Sequence, residues 1–317
     1  MKAAVFNTYG GPEVVHVQDN LAVPAVAAGQ VLVRVQAVGV NPRDAVARSG
    51  RFKWMMSRKF PKITGADFAG TVEQVGPGVL GFQPGDAVFG YWQDFSGGTA
   101  AEYIAVPTKW LALKPQAIPV AVAAALPCAY LTALQALRDK ARLQPGQRVL
   151  VYGASGGVGT AAIQLACYFG AHVTAVSSRR NAAHCRAVGA HEVLAYDEVD
   201  VFSQLEPYDV FFQVYAKETA LYAKARAILR PRGVFITLIP SPLLIAQGWL
   251  YRLLPRPRLV AMLVQANPAD LRLLADLTLQ GYLQPHLQTE LPLEQAAEAH
   301  RLIDTGHTVG KIVLTVS

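Results

Sequence analysis

Cysteine is scarce in this chain: Cys128, Cys167 and Cys185 are the only three in 317 residues, an odd number with no CxxC pair. That excludes a disulfide framework and points to a reducing, cytoplasmic setting. Charge is also sparse, at 16% of residues against 52% apolar, a balance that suits a compact α/β enzyme rather than a disordered or fibrous chain. No apolar run has the length of a transmembrane helix. Met1-Lys2-Ala3-Ala4-Val5-Phe6 reads as a strand that starts at once, so no signal or transit segment is expected. The formal net charge of +7 favours an anionic ligand or surface. Its basic residues are scattered, without a basic run or a recognised binding motif, so nucleic acid is not an expected partner; a phosphorylated cofactor explains part of the charge. One segment, residues 249–260, concentrates base with bulky apolar groups. It reads as a helix, a proline break and a second helix lining a cleft or subunit contact, favoured over peripheral membrane contact.

The most informative stretch is Val149-Leu150-Val151-Tyr152-Gly153-Ala154-Ser155-Gly156-Gly157-Val158-Gly159-Thr160-Ala161-Ala162. An apolar, β-branched run stops at a glycine-dense turn, and a small-residue helix follows directly. Strand, phosphate loop and helix in that order open a dinucleotide-binding fold. A pyrophosphate reaches backbone N–H groups and a helix N-terminus only where no Cβ blocks it. Gly156, Gly157 and Gly159 supply that clearance, flanked by Ser155 and Val158. Upstream the chain reads as β-rich, with turn signals at Gly10-Gly11-Pro12, Gly76-Pro77-Gly78, Gln83-Pro84-Gly85-Asp86 and Gly97-Gly98. From about residue 120 helices and strands alternate: helical spacing over 120–137, then strand-like segments at 172–176, 192–194, 209–214 and 234–238. That series predicts a parallel sheet with right-handed crossovers. A last helix around 293–303 leads to the strand-like Lys311-Ile312-Val313-Leu314-Thr315-Val316. The expected architecture is α/β, a β-rich domain (residues 1–123 and 267–317) with a Rossmann doubly wound parallel sheet (124–266) inserted before its last strand. Ligands are expected at the carboxyl ends of the parallel strands, in the cleft between domains.

The end of the second strand indicates the cofactor. An NAD-binding unit carries an acidic residue there for the ribose hydroxyls. This chain reads Ser177-Ser178-Arg179-Arg180-Asn181, with Arg179 20 positions beyond Gly159. A carboxylate would repel a 2′-phosphate, whereas arginine pairs with it through charge-assisted bonds and the serine hydroxyls add donors. NADPH is the expected cofactor.

The phosphate loop, Val40-Asn41-Pro42-Arg43-Asp44, Gly65-Ala66-Asp67-Phe68-Ala69-Gly70-Thr71-Val72, Leu131-Thr132-Ala133 and Gly310-Lys311-Ile312-Val313-Leu314 occur in that order. Together they resemble the quinone oxidoreductase (zeta-crystallin-like) branch of the medium-chain dehydrogenase/reductase superfamily over nearly the whole chain. The resemblance is closest to NADPH-dependent enone/quinone reductases, including the chloroplast-envelope quinone oxidoreductase homologues. It implies a GroES-like catalytic domain beside the Rossmann domain. It further implies that loop 156–159 carries the pyrophosphate and that Ser177, Ser178 and Arg180, with Tyr196, meet the 2′-phosphate. Asn41 and Thr132 then approach the nicotinamide end and the substrate, with Lys311 near the cofactor and Val214 beside it. Two departures stand out. The usual Asp-x-Val-Gly after the fourth strand is Gln213-Val214-Tyr215-Ala216, and Tyr130 replaces a small residue. Either tyrosine narrows the substrate site or supplies a hydroxyl, unless it simply packs.

Zinc alcohol dehydrogenases share this fold, and catalytic zinc needs three converging ligands. Here Gly65-Ala66-Asp67 replaces a Gly-His-Glu, Val38-Gly39-Val40-Asn41 lacks the first cysteine, and no four-cysteine cluster exists. The seven histidines are dispersed, and His172, His184, His191 and His300 read as surface or cap positions. No metal is expected. Without a Lewis acid a simple ketone is hard to reduce, while a quinone or an α,β-unsaturated carbonyl spreads the developing charge over an enolate. The expected activity is hydride transfer to such acceptors by a homodimer, with Asn41 donating to the substrate carbonyl. The rival readings are an enoyl-thioester reductase and a non-catalytic NADPH-binding sensor or structural protein.

Overall fold

The computed structural model describes residues 1–95, 97–203, 207–214, 221–238 and 257–317. They form two compact units: Met1–Leu131 with Gln265–Gly281 and Pro285–Ser317, and Thr132–Val264 with Tyr282–Gln284.

The first unit is built around the strand Gln30–Val40. Val31, Val33 and Val35 are buried while Arg34 is exposed and Gln36 half-buried, a period of two over 33–36 that Leu32, also buried, interrupts at the start. Beyond Ala37 every residue is buried, because the strand then runs under the helix Val120–Ala125. Gln30–Val40 pairs antiparallel with Asp67–Val75, Tyr103–Pro107 and the C-terminal Lys311–Thr315. Ala87–Tyr91 and Leu111–Leu113 extend the sheet on one side, and Leu287–Pro292 on the other. Its core joins those valines to Phe68, Val88, Ile104, Leu111 and Ile312. A smaller sheet consists of Val15–Gln18, Ala3–Phe6 and Lys62–Ile63. Gly39 cannot be replaced without movement: a Cβ there would lie 2.3 Å from the Ala124 carbonyl oxygen and 2.9 Å from Asp67 Oδ2.

The second unit is a six-stranded parallel sheet in the spatial order Glu192–Ala195, His172–Ser177, Arg148–Tyr152, Tyr208–Gln213, Leu229–Thr237, Arg258–Ala261. The chain enters at the centre, winds outward, then crosses to the other side, the doubly wound order that the alternating pattern predicts. Phe211 stacks on Phe235 at 5.2 Å within a core that includes Leu150 and Val176. The helix Gly157–Tyr168 buries Ala161, Ala162, Ile163, Leu165 and Ala166.

Three local expectations are corrected. The second half of segment 249–260 is not a helix: Arg258–Ala261 is a strand on the open edge of Leu229–Thr237, and residues 249–256 lie outside the described residues. Four residues, Arg-Leu-Val-Ala after a proline, carry no alternation to reveal an edge strand. The helical stretch over 120–137 is three pieces, Val120–Ala125, Pro127–Leu134 and a π-helical Gln135–Ala141 that ends at Arg142 with φ 55°. Pro127 supplies the first break, since it has no N–H to continue the ladder. His300 is not at the surface: it sits on the buried face of Ala296–Asp304 with Ala296, Ala299 and Ile303.

Candidate active site and cofactor-binding elements

In the second unit the phosphate loop joins the strand Arg148–Tyr152 to the helix Gly157–Tyr168. Gly153, at φ 88°, begins the turn, and the Gly153 and Ala154 N–H groups donate to the Val176 carbonyl at 3.1 and 3.0 Å. That ties the loop to the end of the second strand. Gly159 fixes the helix against the turn, because a Cβ there would lie 2.4 Å from the Gly153 oxygen. Gly156 is the N-cap and brings no side chain to the first-turn N–H groups of a 12-residue helix. Gly157 and Val158 form that first turn. An uncapped N-terminus of this length, approached by bare glycine backbone, fits a pyrophosphate.

The residues expected to read the 2′-phosphate do come together. Ser177 ends the second strand and is buried, its hydroxyl donating to the Ser178 carbonyl at 3.1 Å. The Tyr196 N–H donates to the Ser177 carbonyl at 3.0 Å, which seats the half-exposed tyrosine beside it. Ser155 Oγ accepts from Asn181 Nδ2 at 3.0 Å and links the loop to the basic turn. The two arginines part ways. Arg179 is ion-paired with Glu198, while its backbone N–H donates to Asp197 Oδ1 at 2.9 Å. Arg180 is exposed and makes no bond with any described residue. Val214 closes the turn after Tyr208–Gln213, its N–H donating to the Tyr152 carbonyl at 2.9 Å. Thr132 is buried in Pro127–Leu134. Tyr130, on the same helix, is fully buried, and burial pushes its phenol well above the ordinary range. Tyr215 lies outside the described residues.

The first unit contains a closed polar network. Asn41 sits at the end of Gln30–Val40 and caps the helix Pro42–Arg48, and the Asp44 carboxylate returns to its backbone N–H at 2.9 Å. The Asn41 side chain turns inward: Nδ2 donates to the Gly39 carbonyl at 3.1 Å and to Asp67 Oδ2 at 2.9 Å. Lys311 Nζ donates to Asn41 Oδ1, to the Val40 carbonyl at 3.2 Å and to Asp67 Oδ2 at 3.2 Å. Asp67 Oδ1 accepts from the Cys128 N–H at 2.8 Å. The Asn41 amide has two hydrogens and the Lys311 ammonium three, so every donor is used within the protein. The expectation that Asn41 donates to a substrate carbonyl meets an amide with no free hydrogen. Burial raises the Asp67 carboxyl against the opposing pull of Lys311 and Asn41, and raises Asp44 to about 7 despite Arg43. Burial, with Asp67 beside it, pushes the Cys128 thiol up to about 12, which keeps it inert as a nucleophile.

Sequence reasoning passed over Asp67 and Arg43 as site residues. Asp67 could have been found: a carboxylate opening the apolar strand Asp67–Val75 needs a buried cation or donors. Arg43 has no such signal. Its guanidinium donates to the Tyr91 hydroxyl, the Trp92 carbonyl at 3.1 Å and the Asp94 carbonyl at 2.6 Å, and lies 5.0 Å over both the Tyr91 and Phe95 rings. His300 meets Thr64 Oγ1 at 3.0 Å, while His300 Nδ1 and Arg48 Nη1 are buried without a partner among the described residues. Among the described residues no group of three or more His, Cys, Asp or Glu is placed to hold a metal ion.

Comparison with known proteins agrees with this architecture. An alcohol dehydrogenase GroES-like domain model matches residues 27–116, and a zinc-binding dehydrogenase model matches 188–314. The chloroplast envelope quinone oxidoreductase homolog of Arabidopsis thaliana is 33% identical over 99% of this chain and 98% of its own length. The chloroplastic NADPH-dependent alkenal/one oxidoreductase of the same plant is 32% identical over 99% of this chain and 79% of its own. The solved structure of a quinone oxidoreductase from Coxiella burnetii superposes with a TM-score of 0.92 at 30% identity, covering 100% of this chain and 99% of that one. The chain belongs to the medium-chain dehydrogenase/reductase superfamily, in its quinone and enone oxidoreductase branch. It is an oxidoreductase of the NAD(P)-binding kind.

Proposed function

We propose that this protein reduces quinones, or the C=C bond of α,β-unsaturated carbonyls, with NADPH and without zinc. The observation that carries the cofactor choice is Arg180, an exposed cation without a partner among the described residues, at the end of the second strand where an NAD-binding unit would place an acid. The relative named for NADPH-dependent alkenal/one reduction supports the same choice. Gly156, Gly157, Val158 and Gly159 would receive the pyrophosphate on backbone N–H groups, with Ser155 holding the turn. Arg180, Ser177, Ser178 and Tyr196 would hold the 2′-phosphate, and Arg179 would fix the turn through Glu198. Thr132 and Val214 would meet the nicotinamide end. When bound, the cofactor supplies the hydride.

Asn41 and Lys311 act in this reading as positioning residues. Their donors saturate each other and Asp67, so they shape the end of Gln30–Val40 and leave no hydrogen bond for a localised alkoxide. A conjugated acceptor makes no such demand, because its charge spreads over an enolate or a quinol oxygen pair. The test is product analysis with 4-deuterated NADPH and a linear enone. Deuterium is expected on the β-carbon of a saturated ketone. Deuterium on the carbinol carbon of an allylic alcohol would mean carbonyl reduction and overturn the assignment.

A further inference from the structure

Residues 51–62, Arg-Phe-Lys-Trp-Met-Met-Ser-Arg-Lys-Phe-Pro-Lys, combine cations with large apolar groups, and no acidic residue occurs between Asp44 and Asp67. The segment is held in one shape from within. Met56 is buried against Phe6 and Ala47, and Phe52 packs on Phe95 at 5.7 Å. Phe60 sits edge-on to Tyr9 at 5.2 Å, with Lys62 Nζ 4.9 Å over its ring. The Lys62 ammonium is turned inward, donating to the Ser57 carbonyl and to the Lys59 carbonyl at 2.9 Å, and so clamps the loop. What this framework leaves outside is selective. Trp54 is 76% exposed, Met55 is exposed beside it, and Arg51, Lys53, Arg58 and Lys59 are all exposed. None of those four basic side chains has an ion-pair or hydrogen-bond partner among the described residues. Asp94 acts on the inward Lys62, against the larger opposing effect of burial.

An exposed indole beside an exposed methionine, with four exposed cations within five residues of it in sequence, has a matching environment in the headgroup layer of an anionic bilayer. The ring and thioether enter the acyl boundary while the cations meet lipid phosphates. A nucleic acid would satisfy the charges but leave Met55 and the flank of Trp54 wet. We propose that residues 51–60 form a peripheral docking surface for an anionic lipid bilayer, independent of turnover. Docking there would bring the protein to the phase in which lipophilic quinones dissolve.

The experiment is co-sedimentation of the full-length protein with unilamellar vesicles of phosphatidylcholine alone or mixed with phosphatidylglycerol, at low and high salt. Binding is expected only to the mixed vesicles and is expected to weaken with salt. Each basic residue should contribute about fivefold, so the fourfold reversal R51E/K53E/R58E/K59E should lower binding by more than ~100-fold. W54A/M55A should weaken it with the salt dependence intact. Thermal melts of both variants establish that they fold. Absence of wild-type binding, unchanged binding by the fourfold variant, or binding to a DNA duplex in preference to mixed vesicles would each overturn the proposal. Because vesicle binding is read without substrate, its failure leaves the assignment of the reaction untouched.

Discussion

Neighbouring arginines can differ completely in what they are free to do. Arg179 lies against Glu198, and Arg180 has no partner among the described residues. A charge-assisted bond to a 2′-phosphate contributes about 1.5–3 kcal/mol, so Arg180→Ala should weaken NADPH binding by roughly 10- to 100-fold and leave NADH binding nearly unchanged. Arg179→Ala should have a much smaller effect. Titration of both cofactors against both variants checks this, and equal wild-type affinities for NADPH and NADH would refute it. His300 carries a different kind of consequence. Burial, assisted by Arg48, pushes its pKa from the ordinary 6.5 down to about 3. Between those values the unfolded chain binds a proton that the folded chain refuses. Stability is therefore complete above the unfolded value and falls as pH drops, by at most about 1.4 kcal/mol per pH unit from this group. His300→Gln removes the titration and can retain a bond to Thr64. Urea unfolding between pH 7 and 4 should show a shallower acid loss in the variant, and parallel slopes would mean His300 does not drive it.

At the scale of elements, contiguous signals were legible and tertiary ones were not. The unit from Arg148–Tyr152 through Gly157–Tyr168 can be read from sequence because strand, glycine turn and helix follow one another, each governed by local rules. The strand Arg258–Ala261 is too short to show a period, and it is a strand because Leu229–Thr237 offers an unpaired edge. The spacing of Ala296, Ala299, His300 and Ile303 is that of one helical face, and it carries His300 inward although the residue is polar. The Asn41–Asp67–Lys311 network joins residues far apart in sequence, so its members could be recognised one by one while the closure of their bonds could not. The phosphate loop offers its own test. Three backbone atoms of Gly153 and Ala154 would lie within 2.5 Å of a Cβ on Gly159, and backbone cannot swing aside as a side chain can. Gly159→Ala should displace the helix start, destabilise the fold by about 1–3 kcal/mol and weaken NADPH binding. Calorimetric melting and cofactor titration measure the two effects, and a variant unaltered in both would contradict the close packing.

Across the whole molecule, the family whose fold this chain shares includes zinc enzymes, but the interior of this chain is arranged around a different cation. Ala66 is fully buried where zinc-bearing members are expected to carry a histidine, and the adjoining Asp67 is committed to Lys311, Asn41 and the Cys128 N–H. The Lys311 ammonium already neutralises that buried carboxylate at 3.2 Å. A divalent ion at the same place would have to displace it or bear the repulsion of a like charge in a low-dielectric interior. Conjugated acceptors remove the need for a Lewis acid, so the residues present and the proposed substrates agree. Turnover of a quinone or an enone should therefore survive exhaustive chelation, and elemental analysis of the purified protein should find zinc far below one ion per chain. Stoichiometric zinc whose removal abolished activity, and whose return restored it, would show that the Lys311–Asp67 pair opens to admit a metal and that carbonyl polarisation belongs to the reaction after all.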